Sequence, residues 1–558
     1  MSVKNECWIK TDVLVVGGGS AGTMAALEAR KTSQEVALVD KGGIYRSGCG
    51  AAGNDHFLAV LESGPDWDTP EVFLQWYKRL TQGLSDIKIA DKVFVRRIKS
   101  LVKELEEMGI PMKDPGHKEY IRTRSFAQPG DYFINFDGRA LKPMISKRAE
   151  QAGVKLYAQI AITDLLVKEG KAVGAVGFHI RTGDFYVFQA KVVVLATGNA
   201  TRMYENPSGM AFNTWHSPYN TGTAQAMTLR AGGEVKNLEF VNYTITPKNF
   251  SASALNAVVG MGGHLVNAKG ERYVFTYHEK GEQGPRWAMP WGTYIEEQEG
   301  RGPCYFDVRH LSEKDKKHLL EHLLPVDKNT FMDYCEQKGI DPGVDLMEIQ
   351  ISEGQHPAFL GSVSGIFVDE CCRTTLPGLF AGGACAVGIG SLAGSMCFGQ
   401  SAGAEAAQYA LQNRKGAEPS PEQIAELKQT VYAPYQSRGD YTYQEAEDKL
   451  RQIMSDYLSI NRSAEGLKTG WQELNKLQET FGLVKAENGH DLMRIHELRD
   501  LLLISKGIAF GALTRTESRF GLSHYRRDYP ETRAEWHKST HLTCRDGELQ
   551  VHYVPADS

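Results

Sequence analysis

The residues near the start of the chain best suited to chemistry are three glycines and a carboxylate. Gly17, Gly19 and Gly22 stand in the string Gly17-Gly-Gly-Ser-Ala-Gly22, directly after the apolar run Asp12-Val-Leu-Val-Val16. The stretch from Ala21 to Arg30 has the composition of a helix, and a second apolar run, Glu35-Val-Ala-Leu-Val-Asp40, ends in an acid. Strand, glycine turn, helix, second strand and acid, with about 20 residues between glycines and acid, is the order that binds a dinucleotide. Gly17 permits the tight turn, Gly19 lets the backbone approach a pyrophosphate, and Gly22 lets the helix pack on the strand. Ser20 and Ala21 open the helix, whose free N–H groups and positive dipole end face the phosphates. Asp40 is placed to accept from a ribose hydroxyl. These residues alone do not separate FAD from NAD.

The elements that must position them are spread along the chain. Lys191-Val-Val-Val-Leu-Ala-Thr-Gly198 reads as another buried strand, ending in a small-residue turn at Thr197 and Gly198. Leu376-Pro-Gly-Leu-Phe-Ala-Gly-Gly383 is a third strand and turn, far downstream. An NAD dehydrogenase usually completes its cofactor domain in one stretch, so strands this far apart, with another domain between them, favour FAD. In the last third, Pro421-Glu-Gln-Ile-Ala-Glu-Leu-Lys opens like a helix, and Leu492, Ile495, Leu498 and Leu502 recur at helical spacing. The sequence shows neither internal repeats nor low-complexity tracts.

Composition narrows the class. A chain of 558 residues is long enough for more than one domain. Its net charge of -5 gives no general attraction for nucleic acid or an anionic membrane. It has no run of about 18 apolar residues to span a bilayer, and its N-terminus lacks the apolar core of a secretory signal, so the cytoplasm is the expected compartment. The nine cysteines include no C-x-x-C pair, and their spacing fits neither zinc nor an iron–sulfur cluster. No metal is expected. Electrons that travel through iron–sulfur centres would need another polypeptide to carry them.

Read in order, a series of short strings resembles the flavoprotein subunits of the succinate dehydrogenase and fumarate reductase family, which includes the adenylylsulfate reductase alpha subunit. The series begins with Gly17 to Gly22, Asp40-Lys41, Arg46-Ser47, Ala196-Thr-Gly198 and Thr221 to Gly232. It continues with Glu299-Gly-Arg-Gly-Pro303, Pro377-Gly-Leu-Phe380, Thr514-Arg-Thr-Glu-Ser-Arg519 and His524-Tyr-Arg-Arg-Asp-Tyr529. The resemblance covers nearly the whole chain. Its overall look is closest to the adenylylsulfate reductase branch, as in Asn213-Thr-Trp-His-Ser-Pro-Tyr-Asn220. It implies an α/β fold: a Rossmann-type FAD-binding domain in two parts (1–235 and 356–418), an inserted α+β capping domain (236–355) and a helical C-terminal domain (419–558). It also places Lys41, Ser47, Gly48, Cys49, Ala51, Gly383 and Ala384 on the FAD.

The same comparison assigns chemistry. Covalent members carry the flavin on a histidine after the Arg-Ser pair; here that position is Gly48, so FAD is expected to be noncovalent. Cys49 reads as a small packing residue, since no activating base or cation can be assigned to it. Arg286 matches the proton-donating arginine of the fumarate reductases. A guanidinium with a pKa above about 12 is a demanding acid, but it can also stabilise developing negative charge. His356 falls near a substrate-binding histidine and is read as a substrate ligand or acid–base group. Thr246, Trp215 and Ser391 are placed on the substrate. Two family positions are altered: Thr244 stands where a histidine would fall, and Ser391 where a carboxylate-binding arginine would. Charged hydrogen bonds contribute about 1.5–3 kcal/mol each, so fumarate is not the expected substrate. Val363 and Thr246 replace a histidine and an arginine of the adenylylsulfate branch. The expectation is an FAD-dependent oxidoreductase that moves a hydride between flavin N5 and a small substrate with at most one anionic group. The alternative is the alpha subunit of an adenylylsulfate-reductase-like complex that needs an iron–sulfur partner.

Overall fold

The computed structural model describes residues 5–51, 53–113, 117–124, 127–251, 254–327, 330–356 and 363–556. The residues that follow His356, Pro357 to Ser362, lie outside that set. The first apolar run becomes the strand Glu6–Val16, which pairs in parallel with Val36–Val39 on one side and Phe185–Leu195 on the other. Lys155–Tyr157 extends the sheet past Val36–Val39, and Leu379–Ala381 extends it past Phe185–Leu195, both in parallel. Val13–Val16, Val36–Val39 and Val192–Leu195 are all buried, as strands covered on both faces must be. The strand Phe185–Leu195 forks. Its first half pairs antiparallel with Lys171–His179, and its last residues carry the strand delivered from Leu379–Ala381. The separated strands of the sequence therefore meet in one sheet.

Helix Ser20–Arg30 lies against the long helix Leu392–Gln412. The approach depends on two glycines four residues apart, on one helical face. A Cβ on Gly399 would stand 2.1 Å from the Ala21 carbonyl oxygen, and one on Gly403 2.1 Å from that of Ala25. Between the two parts of the nucleotide fold, Ile245–Pro247, Met347–Ile351, Tyr305–Asp307 and His264–Val266 form a separate antiparallel sheet.

The C-terminal region contains the helices Pro421–Gln436, Tyr443–Leu458, Ala464–Thr480 and Gly489–Thr514. A hairpin follows, Lys538–Arg545 with Glu548–Pro555, whose first strand pairs with Val235–Lys236. The C-terminal region expected to be helical thus also carries a hairpin, whose outer strand has no buried residue and so little hydrophobic signal. A buried ionic cluster ties this region to the nucleotide fold. Glu447 bridges Arg202 (3.0 Å) and Arg494 (2.7 Å), and Glu497 bridges the same two arginines and Lys41 (2.6 Å). Burial alone would raise the Glu497 carboxyl, but Lys41, Arg202 and Arg494 hold it down at about 2.

Candidate active site

Gly17 adopts φ +105°, and a Cβ there would stand 2.4 Å from the Ala196 carbonyl oxygen. A Cβ on Gly22 would meet the Gly17 oxygen at 1.8 Å. Gly19 differs: its nearest neighbour would be the Gly48 Cα at 3.8 Å, so its open side faces the cavity. Asp40 organises the turn. Its Oδ2 accepts from the Gly18 N–H (2.6 Å) and the Ser47 hydroxyl (2.7 Å), and its Oδ1 from the Gly42 N–H (2.6 Å). Beneath the turn, Lys142 is buried and donates to Thr23 Oγ1 and the Ile44 carbonyl. Burial pushes its ammonium down to about 8, with the Asp40 charge opposing.

This turn opens onto a cavity of about 800 Å³. Helix Ser20–Arg30 has no side-chain cap at its N-terminus, and the Ser20 hydroxyl is buried without a hydrogen-bond partner. Three more helices bring N-terminal residues to the wall: Thr223 of Thr223–Arg230, Leu392 of Leu392–Gln412, and Gly489 of Gly489–Thr514. First-turn N–H groups of those three already meet Thr197, Ser391 and Asn488, so the uncapped end of Ser20–Arg30 is the one that suits a pyrophosphate. The cavity's volume lies within the ~300–1,000 Å³ common for ligand sites. Glycine cradle, exposed helix N–H groups, an orphaned buried hydroxyl and a carboxylate at the second strand's end together fit FAD.

Of the residues anticipated for the cofactor, Gly17, Gly19, Ser20, Ala21, Asp40 and Lys41 line the cavity, as do Ser47, Gly48, Cys49, Thr197, Gly198 and Ala384. Gly22, Ala51 and Gly383 are not on its wall. Gly22 serves helix packing, and a Cβ on Gly383 would stand 2.6 Å from the Ala21 Cβ. Cys49 takes hydrogen bonds from the Asn220 amide (3.2 Å) and the Ser217 N–H (3.5 Å).

Of the residues anticipated for the substrate, Trp215 and Ser391 line the cavity. Ser391 also caps its helix, accepting from the Gly394 N–H at 2.9 Å. Arg286, His356 and Thr246 are buried and are not among the residues that line the cavity. The Arg286 guanidinium lies 5.0 Å from the Trp215 ring and donates to Thr244 Oγ1 at 2.5 Å. Burial pushes it down to about 9. His356 pairs with Ala200 through the main chain, and burial drives its imidazole down to about 3. Thr246 sits opposite Gln350 in the inserted sheet. Glu353 accepts from the Trp215 N–H (3.0 Å) and Asn206 (2.9 Å), and burial raises its carboxyl to about 7.

Sequence reading missed a second polar layer. Asn199 Nδ2 donates to Gln355 Oε1 at 2.9 Å and lies 2.8 Å from His216 Nδ1, while Asn220 donates to Asn199 Oδ1 at 2.7 Å. His216 adjoins Trp215 in a string already singled out, but nothing in the string marks it as facing the cavity. His56 and Asn256 also line the wall, and no motif announces them.

Fold and cavity thus define a dinucleotide-binding flavoprotein. Comparison with known proteins gives the family. The model of the FAD binding domain matches residues 12–396, and that of the fumarate reductase flavoprotein C-terminal region matches 447–558. The chain belongs to this family and is an FAD-dependent oxidoreductase of the fumarate reductase flavoprotein type. One subunit of the fumarate reductase (CoM/CoB) of Methanothermobacter marburgensis is 28% identical over 95% of this chain and 96% of that protein. L-aspartate oxidase of Saccharolobus solfataricus is 26% identical over 93% and 96%. In fold, the chain superposes on adenylylsulfate reductase from Archaeoglobus fulgidus with a TM-score of 0.89 (24% identity, 99% and 96% covered). For E. coli quinol fumarate reductase the TM-score is 0.86 (24% identity, 98% and 97% covered). Among the described residues, no helix is long and apolar enough to cross a membrane.

Proposed function

We propose that the protein holds FAD noncovalently and uses it to oxidise or reduce a small substrate carrying at most one anionic group. The FAD supplies hydride exchange at its N5. Gly17, Gly19, Ser20 and Ala21 would receive the pyrophosphate, and Asp40 the ribose. Gly48 supports noncovalent attachment: it has no side chain to bond the flavin, its φ is +82°, and a Cβ there would stand 3.0 Å from the Gly19 Cα.

The observation that carries the substrate reading is the character of the wall. Among the described residues, its lysines and arginines are Lys41, Arg46 and Arg181, none of them from the inserted segment, and Lys41 is engaged by Glu497. Of its own described residues, the inserted segment contributes Ser251 and Asn256, both neutral. One guanidinium, Arg286, lies buried behind Trp215. A cation held at about 9 by burial gains from one nearby anion. A single such centre matches a monoanion better than a dicarboxylate, which calls for several converging donors. Arg286 acts as a charge stabiliser through this wall, with Glu353 holding the Trp215 backbone in place.

Acid denaturation of the yellow holoprotein should release all of its colour; colour retained on the polypeptide would defeat noncovalent attachment. Anaerobic reduction of the flavin followed by a screen of oxidants, in wild type and Arg286→Ala, tests the rest. Rapid reoxidation by fumarate or adenylylsulfate would overturn the substrate reading, and an unchanged rate in the variant would remove Arg286 from the mechanism. A second reading, a flavoprotein that works only with an iron–sulfur partner, is favoured by full-length likeness to a protein named as one component of a larger reductase. Copurification of a small iron–sulfur protein, with no turnover by the isolated chain, would support it.

A further inference from the structure

Where the inserted segment reaches the cavity, a carboxylate and an imidazole stand in contact. Asp55 is buried, and its Oδ1 meets Nδ1 of His56. Asn256, which comes from the inserted segment, places its Nδ2 3.0 Å from His56 Nε2. His56 and Asn256 both line the cavity, near Gly53, Asn54 and Ser251. The imidazole is held on a strand: His56–Leu58 pairs with Phe133–Asn135, and the ring packs edge-on to Phe133 at 4.7 Å. A side chain fixed by strand pairing and ring packing keeps the orientation that proton transfer requires.

The protonation state follows from the partners. A carboxylate only accepts, so Nδ1 carries the hydrogen, and Nε2 of the neutral ring presents its lone pair towards Asn256. The same carboxylate stabilises the imidazolium once Nε2 takes up a proton. Asn256 holds Nε2 in both states between turnovers and must give way for a substrate to exchange its proton there. Its Nδ2 donates to the neutral ring, and its Oδ1, shielded from solvent and without a hydrogen-bond partner, can accept from Nε2–H after an amide turn. The flanking cations have acids of their own: Arg124 pairs with Asp131 at 2.7 Å, and Arg139 with Asp137. Among the described residues, the strand Phe133–Asn135 and the helix Leu255–Gly260 bring no titratable side chain to the ring.

We propose that Asp55 and His56 form the proton-transfer site of this oxidoreductase, with His56 Nε2 as the atom that takes or gives the proton. The proposal rests on the flavin-dependent reading above. In the oxidative direction the substrate loses a hydride to the flavin and a proton to Nε2. It thereby gives up two electrons and two hydrogens and gains one double bond; reduction reverses both transfers. The substrate class is therefore one that exchanges a proton together with its hydride, presented at the junction of the nucleotide fold and the inserted segment.

The test uses FAD-loaded protein without substrate. Nitrogen-15 NMR of labelled histidine, with His56 assigned by its loss in His56→Gln, should show the Nδ1-protonated tautomer at high pH. The flavin absorbance should show one titration within about pH 5–8, absent in His56→Gln and moved down by about 1–3 pH units in Asp55→Asn. Bound flavin per chain, measured first, separates this outcome from a failure of FAD binding. Should His56→Gln bind no flavin, Asp55→Asn and the wild-type tautomer decide the matter. An Nε2-protonated tautomer, a titration that survives loss of His56, a flat wild-type spectrum, or no shift in Asp55→Asn would each overturn the proposal.

Discussion

Gly17, Gly22 and Gly19 share one motif but answer to different neighbours, so their substitutions should separate folding from binding. At Gly17 and Gly22 a methyl group would collide with backbone, at 2.4 and 1.8 Å. Gly17→Ala and Gly22→Ala should therefore lower the melting temperature of the apoprotein as well as abolish flavin binding. At Gly19 a methyl group meets only Gly48 Cα at 3.8 Å. Gly19→Ala should melt within a degree or two of wild type yet bind FAD at least about tenfold more weakly, about 1.4 kcal/mol. Flavin titration beside a melting curve distinguishes the cases; a Gly19→Ala protein with wild-type affinity would mean that the pyrophosphate lies elsewhere. The motif makes its three glycines look equivalent, and only their surroundings show that two build the turn while one leaves room for the ligand.

Among the elements, the decisive contacts join segments remote in sequence. The glycine face of Leu392–Gln412 sets its distance from Ser20–Arg30, so Gly403→Leu should force the two apart and lose several kcal/mol of stability through overpacking, whose usual range is about 1–3 kcal/mol or more. The ionic cluster between Tyr443–Leu458 and Gly489–Thr514 offers a sharper prediction. Glu447→Ala leaves Arg202 and Arg494 buried beside one remaining acid, and breaking a buried pair in this way costs about 3–5 kcal/mol. Urea denaturation should register that loss, whereas truncating the exposed Lys476, paired with Glu473 on the surface, should change stability by less than about 1 kcal/mol. Equal effects would show that the cluster does not fasten the helical region to the nucleotide fold.

Across the whole molecule, burial of ionisable groups sets the response to pH. His356 and His496 are held neutral by burial, with folded pKa values of about 3 and about 4 against an ordinary 6.5. Below 6.5 the unfolded chain binds protons that the folded chain refuses, so each loses its contribution as pH falls towards its folded value. Glu353 has the opposite sign. Its folded pKa of about 7 lies above the ordinary 4.5, so the folded state holds the proton more tightly and gains stability as pH falls from 7 to 4.5. Glu497, held at about 2, loses its contribution between 4.5 and 2. His264, His524 and His541 are shifted down from 6.5 as well. Several losses against the gain at Glu353 therefore predict a decline in apoprotein stability from pH 6.5 to 4.5, and a steeper one below, where Glu497 joins the histidines and Glu353 no longer offsets them. Melting temperatures across that range check the shape; a single uniform slope would show that Glu353 titrates at its ordinary value.

The sequence by itself determined a dinucleotide site and the class of fold that holds it, because these rest on local backbone demands. FAD rather than NAD followed from strands far apart in the chain and from the order of the family's strings. A turn with φ near +105° at Gly17, a helix opening beside it and continuous apolar strands can each be read from neighbouring residues. Arg286 was legible as a residue of interest, but not its place behind Trp215 or the burial that lowers its pKa. Asp55, His56 and Asn256 were not legible at all. The imidazole and the amide that meet there lie 200 positions apart, brought together only when the inserted segment closes on the nucleotide fold. Spacing reports what a short stretch of backbone must do. Which side chains face one another across a cavity is fixed by packing between distant segments, and only the tertiary structure decided that.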